Sequence, residues 1–405
     1  MRIAVLIDRY WPILGGAQNN VHELCRRLSA QGMSDTVLTR RIYADLPTRG
    51  EFQSVAIRRV GYSRSRVLSK VLCFLRLNWW LIRHRGDYDL VLSVPCSEVT
   101  DLLPAFFASR LTKKPYVVRM TGFPTFEDPP PRAMRSLADR ARDFLVPNSI
   151  WITAFRNADL VVAQSTVLQG MASKHGLDTC EIIPNGVDTA RFHPAHEEER
   201  RRLREELGLP RDKVLLINVG RYDSEKNQIT FLKAFRTLES RLRPGKAHAL
   251  VLGATQRNQM TSNEAELKHF VTENGLADSV TFVDDATDVE KYLKASDVFV
   301  QPTTLEGMSN ALLEAMATGL AIVCSDIPQN TCVVPERCGL FFSPLDEQTL
   351  TDNLLELVDS PQARKELGNV GAAFAAERYS NDKLAAQYAK LLKRIAPDRR
   401  LPVEH

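Results

Sequence analysis

The chain has 405 residues, 44% of them apolar and 25% charged, with a formal net charge of +4 at neutral pH. That length exceeds one ordinary core and fits two domains, and the composition excludes disordered and fibrous classes. So small a net charge makes no case for nucleic-acid binding, which needs a concentrated basic face.

The first residues, MRIAVLID, run directly into a strand, so no leader peptide is expected. No run approaches the ~18 apolar residues of a membrane span. Strand candidates in the first half are residues 3–7, 36–39, 55–60, 90–94, 116–120, 160–163 and 181–183. Most are continuous apolar runs, as strands buried on both faces of a parallel sheet are. Residues 19–30 between the first two are amphipathic, with Val21, Leu24, Cys25 and Leu28 on one helical stripe. Residues 64–85 carry Arg64, Arg66, Lys70, Arg76, Arg83 and Arg85 and no acid, with Leu68, Leu72, Leu75, Trp79 and Ile82 on one stripe. That segment reads first as a core-facing helix with a solvated basic edge. The alternative is peripheral docking on an anionic membrane face.

In the second half, residues 214–219, 249–252, 280–283, 298–301 and 321–324 read as strands, with helices at 228–238, 264–273 and 310–317. This alternation predicts a doubly wound α/β architecture built twice. The expected break follows the PNGVD stretch, residues 184–188, where a charged run begins. The domains are then 1–188 and 189–379, with a last helix near 380–396 returning to the first. Seven cysteines include no C-x-x-C pair; they read as small buried hydrophobes in a reducing, cytoplasmic compartment.

The strongest chemical signal is Glu306-Gly307-Met308-Ser309-Asn310-Ala-Leu-Leu-Glu314, directly after the strand VFVQPT. Strand, short glycine-containing loop and helix start form an anion site, because a helix N-terminus leaves N–H groups unpaired and its dipole favours phosphate. Met308, Ser309 and Asn310 would face a diphosphate, and Glu314 can accept hydrogen bonds from vicinal hydroxyls. The bland alternative makes Glu306 a turn residue and Glu314 a surface residue. A second element, Gly220-Arg221-Tyr-Asp-Ser-Glu-Lys226-Asn227, follows strand LLINV. Arg221 offers a fork and Lys226 a mobile charge for phosphate oxygens, unless this is merely a solvated loop. Third, Gly15-Gly16 opens the first helix; it lacks G-x-G-x-x-G, so NAD is poorly supported, and a plain tight turn is equally compatible.

Asp87-Tyr-Asp89 precedes a strand and reads as a surface turn, and His193 and His196 lack partners for a metal set, so no metal site is expected.

In order and spacing these motifs resemble glycosyltransferase family four: GGAQ, DLVVAQS, IIPNGVD, VGRYDSEKN, EGMSNALLE, AMATGLAIVCSDIP and CGLFFSPLD. The resemblance implies a GT-B fold, two doubly wound domains facing across a cleft. It implies a retaining, metal-independent transferase whose co-substrate is a UDP- or GDP-sugar, acting on a glycan or lipid-linked acceptor in cell-surface polysaccharide or glycolipid synthesis. Glu306 would contact donor-sugar hydroxyls and Glu314 the ribose. Arg221 and Lys226 would take the diphosphate, the Gly15-Gly16 loop would close over it, and the backbone near Phe282-Val283 would hold the base. Many members carry a His after the strand at 116–120; this chain reads Thr121-Gly122 there, and Thr121 with the Gly122 backbone would contact the sugar. Gln18 stands where many relatives have an acid, so no acceptor-activating carboxylate is assigned. Competing readings are an isomerising enzyme or a non-catalytic sugar-nucleotide binder on the same fold. A glycoside hydrolase would need two carboxylates flanking the scissile bond.

Overall fold

A computed structural model of the chain describes all residues except 14, 96–98, 122–147, 178–179, 243–244, 254–261, 285, 287 and 397–405. It divides into two compact units, Met1–Asn185 with Asn381–His405, and Gly186–Ser380. Gly122, Cys96 and the loop beyond Thr121 lie outside the described residues. Among those described, no helix is long and apolar enough to cross a membrane.

The first unit is built on β1 (Arg2–Leu6), β2 (Ser34–Arg40), β3 (Arg49–Phe52), β4 (Val55–Val60), β5 (Leu90–Ser93), β6 (Tyr116–Met120), β7 (Leu160–Ala163) and β8 (Cys180–Ile182). They lie in the order β3-β4-β2-β1-β5-β6-β7-β8. All pairings are parallel except β3 with β4. The sequence RGEF gave no strand signal for β3. A turn through Gln53 and Ser54, at φ 45° and 69°, folds it into a hairpin with β4.

Alternation of side chains splits the core of this unit between the two sheet faces. Ile3, Val5 and Ile7 pack with Val21, Leu24, Cys25 and Leu28 of α1 (Gly16–Ala30), and with Leu384, Tyr388 and Leu392 of the C-terminal helix Asn381–Ile395. Arg27 on α1 reaches Asp382 at 2.8 Å. Ala4 and Leu6 face the other way, onto α2 (Arg66–Arg83) and α3 (Val99–Thr112).

The core-facing reading of the predicted α2 stripe is corrected here. Leu68, Leu75, Trp79 and Ile82 are exposed, Trp79 at 61%, and Leu72 is only half-buried. The buried face consists of Ser69, Cys73, Leu77, Trp80 and Leu81. α2 is apolar nearly all round, so periodicity alone could not choose which apolar arc turns inward.

The second unit carries β9 (Val214–Val219), β10 (Ala247–Gly253), β11 (Val280–Asp284), β12 (Val298–Gln301), β13 (Ala321–Ser325) and β14 (Gly339–Phe342). Their order is β11-β10-β9-β12-β13-β14, and every pairing is parallel. The chain winds outward from β9 to β11, then returns to lay β12 on the other side of β9. Ligand crevices form at such reversals, outside the carboxyl ends of the strands. In the first unit the corresponding reversal separates β1 from β5.

Candidate functional site

In the second unit, the reversal brings together segments 80 residues apart in sequence. β9 ends into Gly220-Arg221, and β12 ends into the loop that leads to helix Asn310–Ala317. Lys226 Nζ donates to Glu306 Oε1, and both side chains are mostly enclosed, at 22% and 10% exposure.

Backbone bonds hold the two loops in register. Thr304 N–H donates to Glu225 O at 2.9 Å, and the Thr303 hydroxyl lies 2.8 Å from the same carbonyl. Asn227 locks the other side. It sits at φ 50°, in the left-handed region that Asn tolerates better than most residues, and begins helix Gln228–Arg241. Its Nδ2 donates to Pro302 O at 3.0 Å and Pro344 O at 2.9 Å, while its Oδ1 accepts from Thr230 Oγ1 at 2.9 Å.

Helix Asn310–Ala317 starts on Ser309, whose Oγ accepts from Leu312 N at 3.3 Å and donates to Gln301 Oε1 at 2.8 Å. Gln301 Nε2 donates to Asn330 Oδ1 at 2.9 Å. Asn330 Nδ2 in turn reaches Ser325 O at 3.0 Å and its Oγ at 2.9 Å. A buried polar chain therefore fixes the N-cap rotamer and aims the helix start. The first turn holds no acidic residue, so the positive end of the helix is left uncompensated there. Met308 is buried among the apolar residues of this unit.

Glu314 lies more than one turn inside the helix. Burial pushes its carboxyl up to about 7, with Arg191 acting in the opposite direction. No side chain or backbone N–H among the described residues hydrogen-bonds to that carboxyl. The residue is half-buried, so the carboxyl is open to hydrogen-bond donors from a ligand. Arg221 is exposed and pairs with Asp223 at 2.8 Å, apart from the Lys226–Glu306 pair. Val283, on β11, is half-buried beside Leu252 of β10.

Sequence reasoning placed Asn227 in the motif without a role, and missed the Gln301–Asn330–Ser325 chain and a cluster at the end of β10 and β11. There Tyr222 donates to Asp284 Oδ1 at 2.8 Å, and Lys268 Nζ holds Oδ2 at 2.9 Å. Lys268 and Tyr222 hold the Asp284 carboxyl below the usual range against the opposing effect of burial. Gly253 admits the Tyr222 ring, which lies 2.0 Å from where a Cβ would stand. One available signal was an Asn placed between a charged loop and a helix.

In the first unit, Gly15 caps α1 in an extended conformation, and a Cβ there would meet only the movable amide end of Gln18, at 2.9 Å. Steric need within this unit therefore does not account for Gly15. Thr121, half-buried after β6, donates to Pro95 O at 2.9 Å. Asp89 of the D-x-D stretch is tied to Arg2 at 2.9 Å, and His193 lies 3.2 Å from Lys294.

Two doubly wound units, one with a capped helix N-terminus and a Lys–Glu pair at its strand reversal, define the GT-B class. Solved structures agree on the fold. Sucrose-phosphate synthase from Thermosynechococcus elongatus superposes with a TM-score of 0.79 at 21% identity, covering 97% of this chain and 98% of its own. Anabaena HepE, solved in complex with UDP-glucose, gives 0.74 at 18%, covering 97% and 100%. Residues 14–191 match the model for Glycosyltransferase Family 4, and residues 199–374 that for Glycosyl transferases group 1.

The chain belongs to glycosyltransferase family four. Among curated relatives, an Escherichia coli UDP-Gal:alpha-D-GlcNAc-diphosphoundecaprenol alpha-1,3-galactosyltransferase is 34% identical over 41% of this chain and 41% of its own length. The lipopolysaccharide core mannosyltransferase LpsB of Rhizobium meliloti is 28% identical over 52% and 61%. A D-inositol 3-phosphate glycosyltransferase of Catenulispora acidiphila aligns at 26% over 95% and 91%. The match spans about half the length of the first of these relatives.

Proposed function

We propose that the chain is a retaining glycosyltransferase that moves a sugar from a UDP- or GDP-sugar to a glycan or lipid-linked acceptor, in cell-surface polysaccharide or glycolipid synthesis. The observation that carries this reading is the joining of Lys226, Glu306 and the Ser309-capped helix at one strand reversal, with the undonated Glu314 carboxyl on the same helix. A sugar nucleotide matches that series: sugar hydroxyls for Glu306, diphosphate for Lys226, Arg221 and the backbone of Gly307–Asn310, and ribose hydroxyls for Glu314. Val283 is assigned to the base. Gly15, Gly16, Thr121 and Gly122 are assigned to donor contact on the resemblance.

In the proposed reaction, the bond from the anomeric carbon to the diphosphate oxygen breaks. The acceptor oxygen then bonds to that carbon on the same face, and its proton passes to the departing diphosphate. Negative charge grows on the leaving group as the bond breaks, so fixed cations and a helix N-terminus stabilise the transition state more than the bound donor. These groups occupy the place a divalent cation takes in other designs, and undiminished transfer in a chelator tests the metal-independent part. Contact with a membrane face through the 64–85 segment belongs to the same proposal, because relatives act on lipid-linked substrates by name.

Calorimetric titration with UDP, GDP and ADP, on the wild type and Glu314→Ala, tests the site. Binding of one nucleotide, lost in the variant, is expected. Absence of binding by all three overturns the reading, and binding without transfer to any supplied acceptor overturns catalysis.

A further inference from the structure

A pocket of about 380 Å³ opens between β4 and α2, lined by Thr48, Arg58, Arg59, Arg76, Trp79 and Trp80 among others. Its charge is one-sided. None of the three arginines has a carboxylate partner among the described residues. Arg58 stands directly opposite Arg49 in the β3–β4 hairpin, a like-charge pairing that disfavours the fold unless an anion is near. Arg59 is buried. It spends two nitrogens on Trp11 O at 2.8 Å and Pro47 O at 3.2 Å, and its Nε has no partner.

Trp79 belongs to this pocket and also to the exposed arc of α2. At about 100° per residue, Val67, Leu68, Val71, Leu75, Trp79 and Ile82 fall within an arc of about 120°. All six are exposed, Leu75 at 56%. Phe107 and Leu111 of the adjoining α3 extend the exposed apolar surface, with Phe74 and Phe107 in edge-to-face contact at 6.0 Å. Soluble proteins rarely leave so large an apolar strip in water. Arg76 and Arg83 border it, and residues 64–85 contain no acid.

We infer that this face is the seat of an anionic phospholipid surface, with a lipid phosphate in the Arg58–Arg59–Arg76 pocket and the α2 arc sunk beside it among the acyl chains. A phosphate answers the Arg49–Arg58 opposition and gives Arg76 a counter-charge. The apolar arc excludes a free soluble anion as the whole ligand, since it gains nothing from one. The inference refines the membrane contact proposed above and stands independently of sugar transfer.

The test is co-sedimentation of the full chain with vesicles of phosphatidylcholine alone, or of phosphatidylcholine with phosphatidylglycerol, without nucleotide. The wild type should pellet with the anionic vesicles only. Removing two arginines next to the surface, as Arg58→Ala with Arg76→Ala, should weaken partitioning by about twentyfold or more. Leu75→Ser with Trp79→Ser, at exposed positions that leave the core intact, should weaken it at least tenfold. Both double variants should keep the wild-type circular dichroism spectrum and nucleotide affinity. Equal pelleting with neutral vesicles, or no pelleting of the wild type, overturns the inference. Retained binding in the arginine variant overturns the phosphate pocket. Lost nucleotide binding in the wild type speaks only against the enzymatic reading.

Discussion

If Glu314 receives the ribose, nucleotide affinity must depend on pH in a way set by that one carboxyl. Burial holds it up to about 7. Two donated hydrogen bonds from vicinal hydroxyls favour the ionised form and should bring it back into the ordinary carboxylate range. Binding then releases a proton wherever the free carboxyl is still protonated. Linkage gives about tenfold tighter binding at pH 8 than at pH 6, with about 0.9 proton released per nucleotide near pH 6, about 0.5 near pH 7 and about 0.1 near pH 8. Titration calorimetry in two buffers of different ionisation enthalpy reads the proton count directly. The nucleotide's own phosphate also titrates in this range, so the reference is Glu314→Gln, which keeps the shape and removes the titration. The difference between wild type and variant isolates residue 314. Equal proton release in the two proteins, or affinity that falls with rising pH in the wild type alone, would refute the assignment.

Lys226→Ala should lower kcat by about 10² to 10³ with a smaller effect on KM, because it removes charge stabilisation of the leaving group; a raised KM with kcat unchanged would make Lys226 a ground-state binder. Asn227→Ala loses three side-chain hydrogen bonds and must hold φ 50° with a Cβ, so urea unfolding should show a loss of roughly 2–4 kcal/mol, with Asn227→Gly recovering about 1 kcal/mol. Burial, with Ser29 opposing it, pushes Asp35 up to about 7; the folded state then holds more protons than the unfolded one between about pH 4 and pH 7, so stability falls as pH rises through that window. Asp35→Asn should remove that fall and add roughly 2–4 kcal/mol at pH 8; parallel pH profiles for the two proteins would contradict it.

Much of the architecture was legible because strands buried on both faces read as continuous apolar runs. Val214–Val219, Val298–Gln301 and helix Asn310–Ala317 have the bounds their patterns predict. β3 was not legible, since its pairing is dictated by the turn at Gln53–Ser54 rather than by its own side chains. The orientation of α2 was misjudged for a different reason. With apolar residues on nearly every side, the inward face is chosen by tertiary packing, and Ser69, Cys73 and Leu77 took it. At the site, motif spacing identified Lys226 and Glu306 as residues following strands. Their contact depends on β9 and β12 being neighbours, which no local pattern states. The chain Ser309–Gln301–Asn330–Ser325 was invisible for the same reason, being assembled from four separate positions around β12 and β13.

The two acids of the Glu306–Glu314 motif are not equivalent, and the difference bears on how a donor would be told from a bare nucleotide. Glu306 precedes the helix and is paired with Lys226. Glu314 is inside the helix and unsatisfied. On the proposed function, a nucleoside diphosphate would answer Glu314 with its ribose and draw Lys226 toward its phosphates. That would leave the nearly buried Glu306 carboxylate short of a partner, a costly state. A sugar nucleotide carries the missing hydroxyls in the same molecule, so it repays the separation of the Lys226–Glu306 pair that the bare diphosphate leaves open. Sugar recognition and phosphate recognition are thereby coupled through one ion pair. Product release gains from the same coupling: once the sugar has left for the acceptor, Glu306 regains its partner by reclaiming Lys226 from the diphosphate.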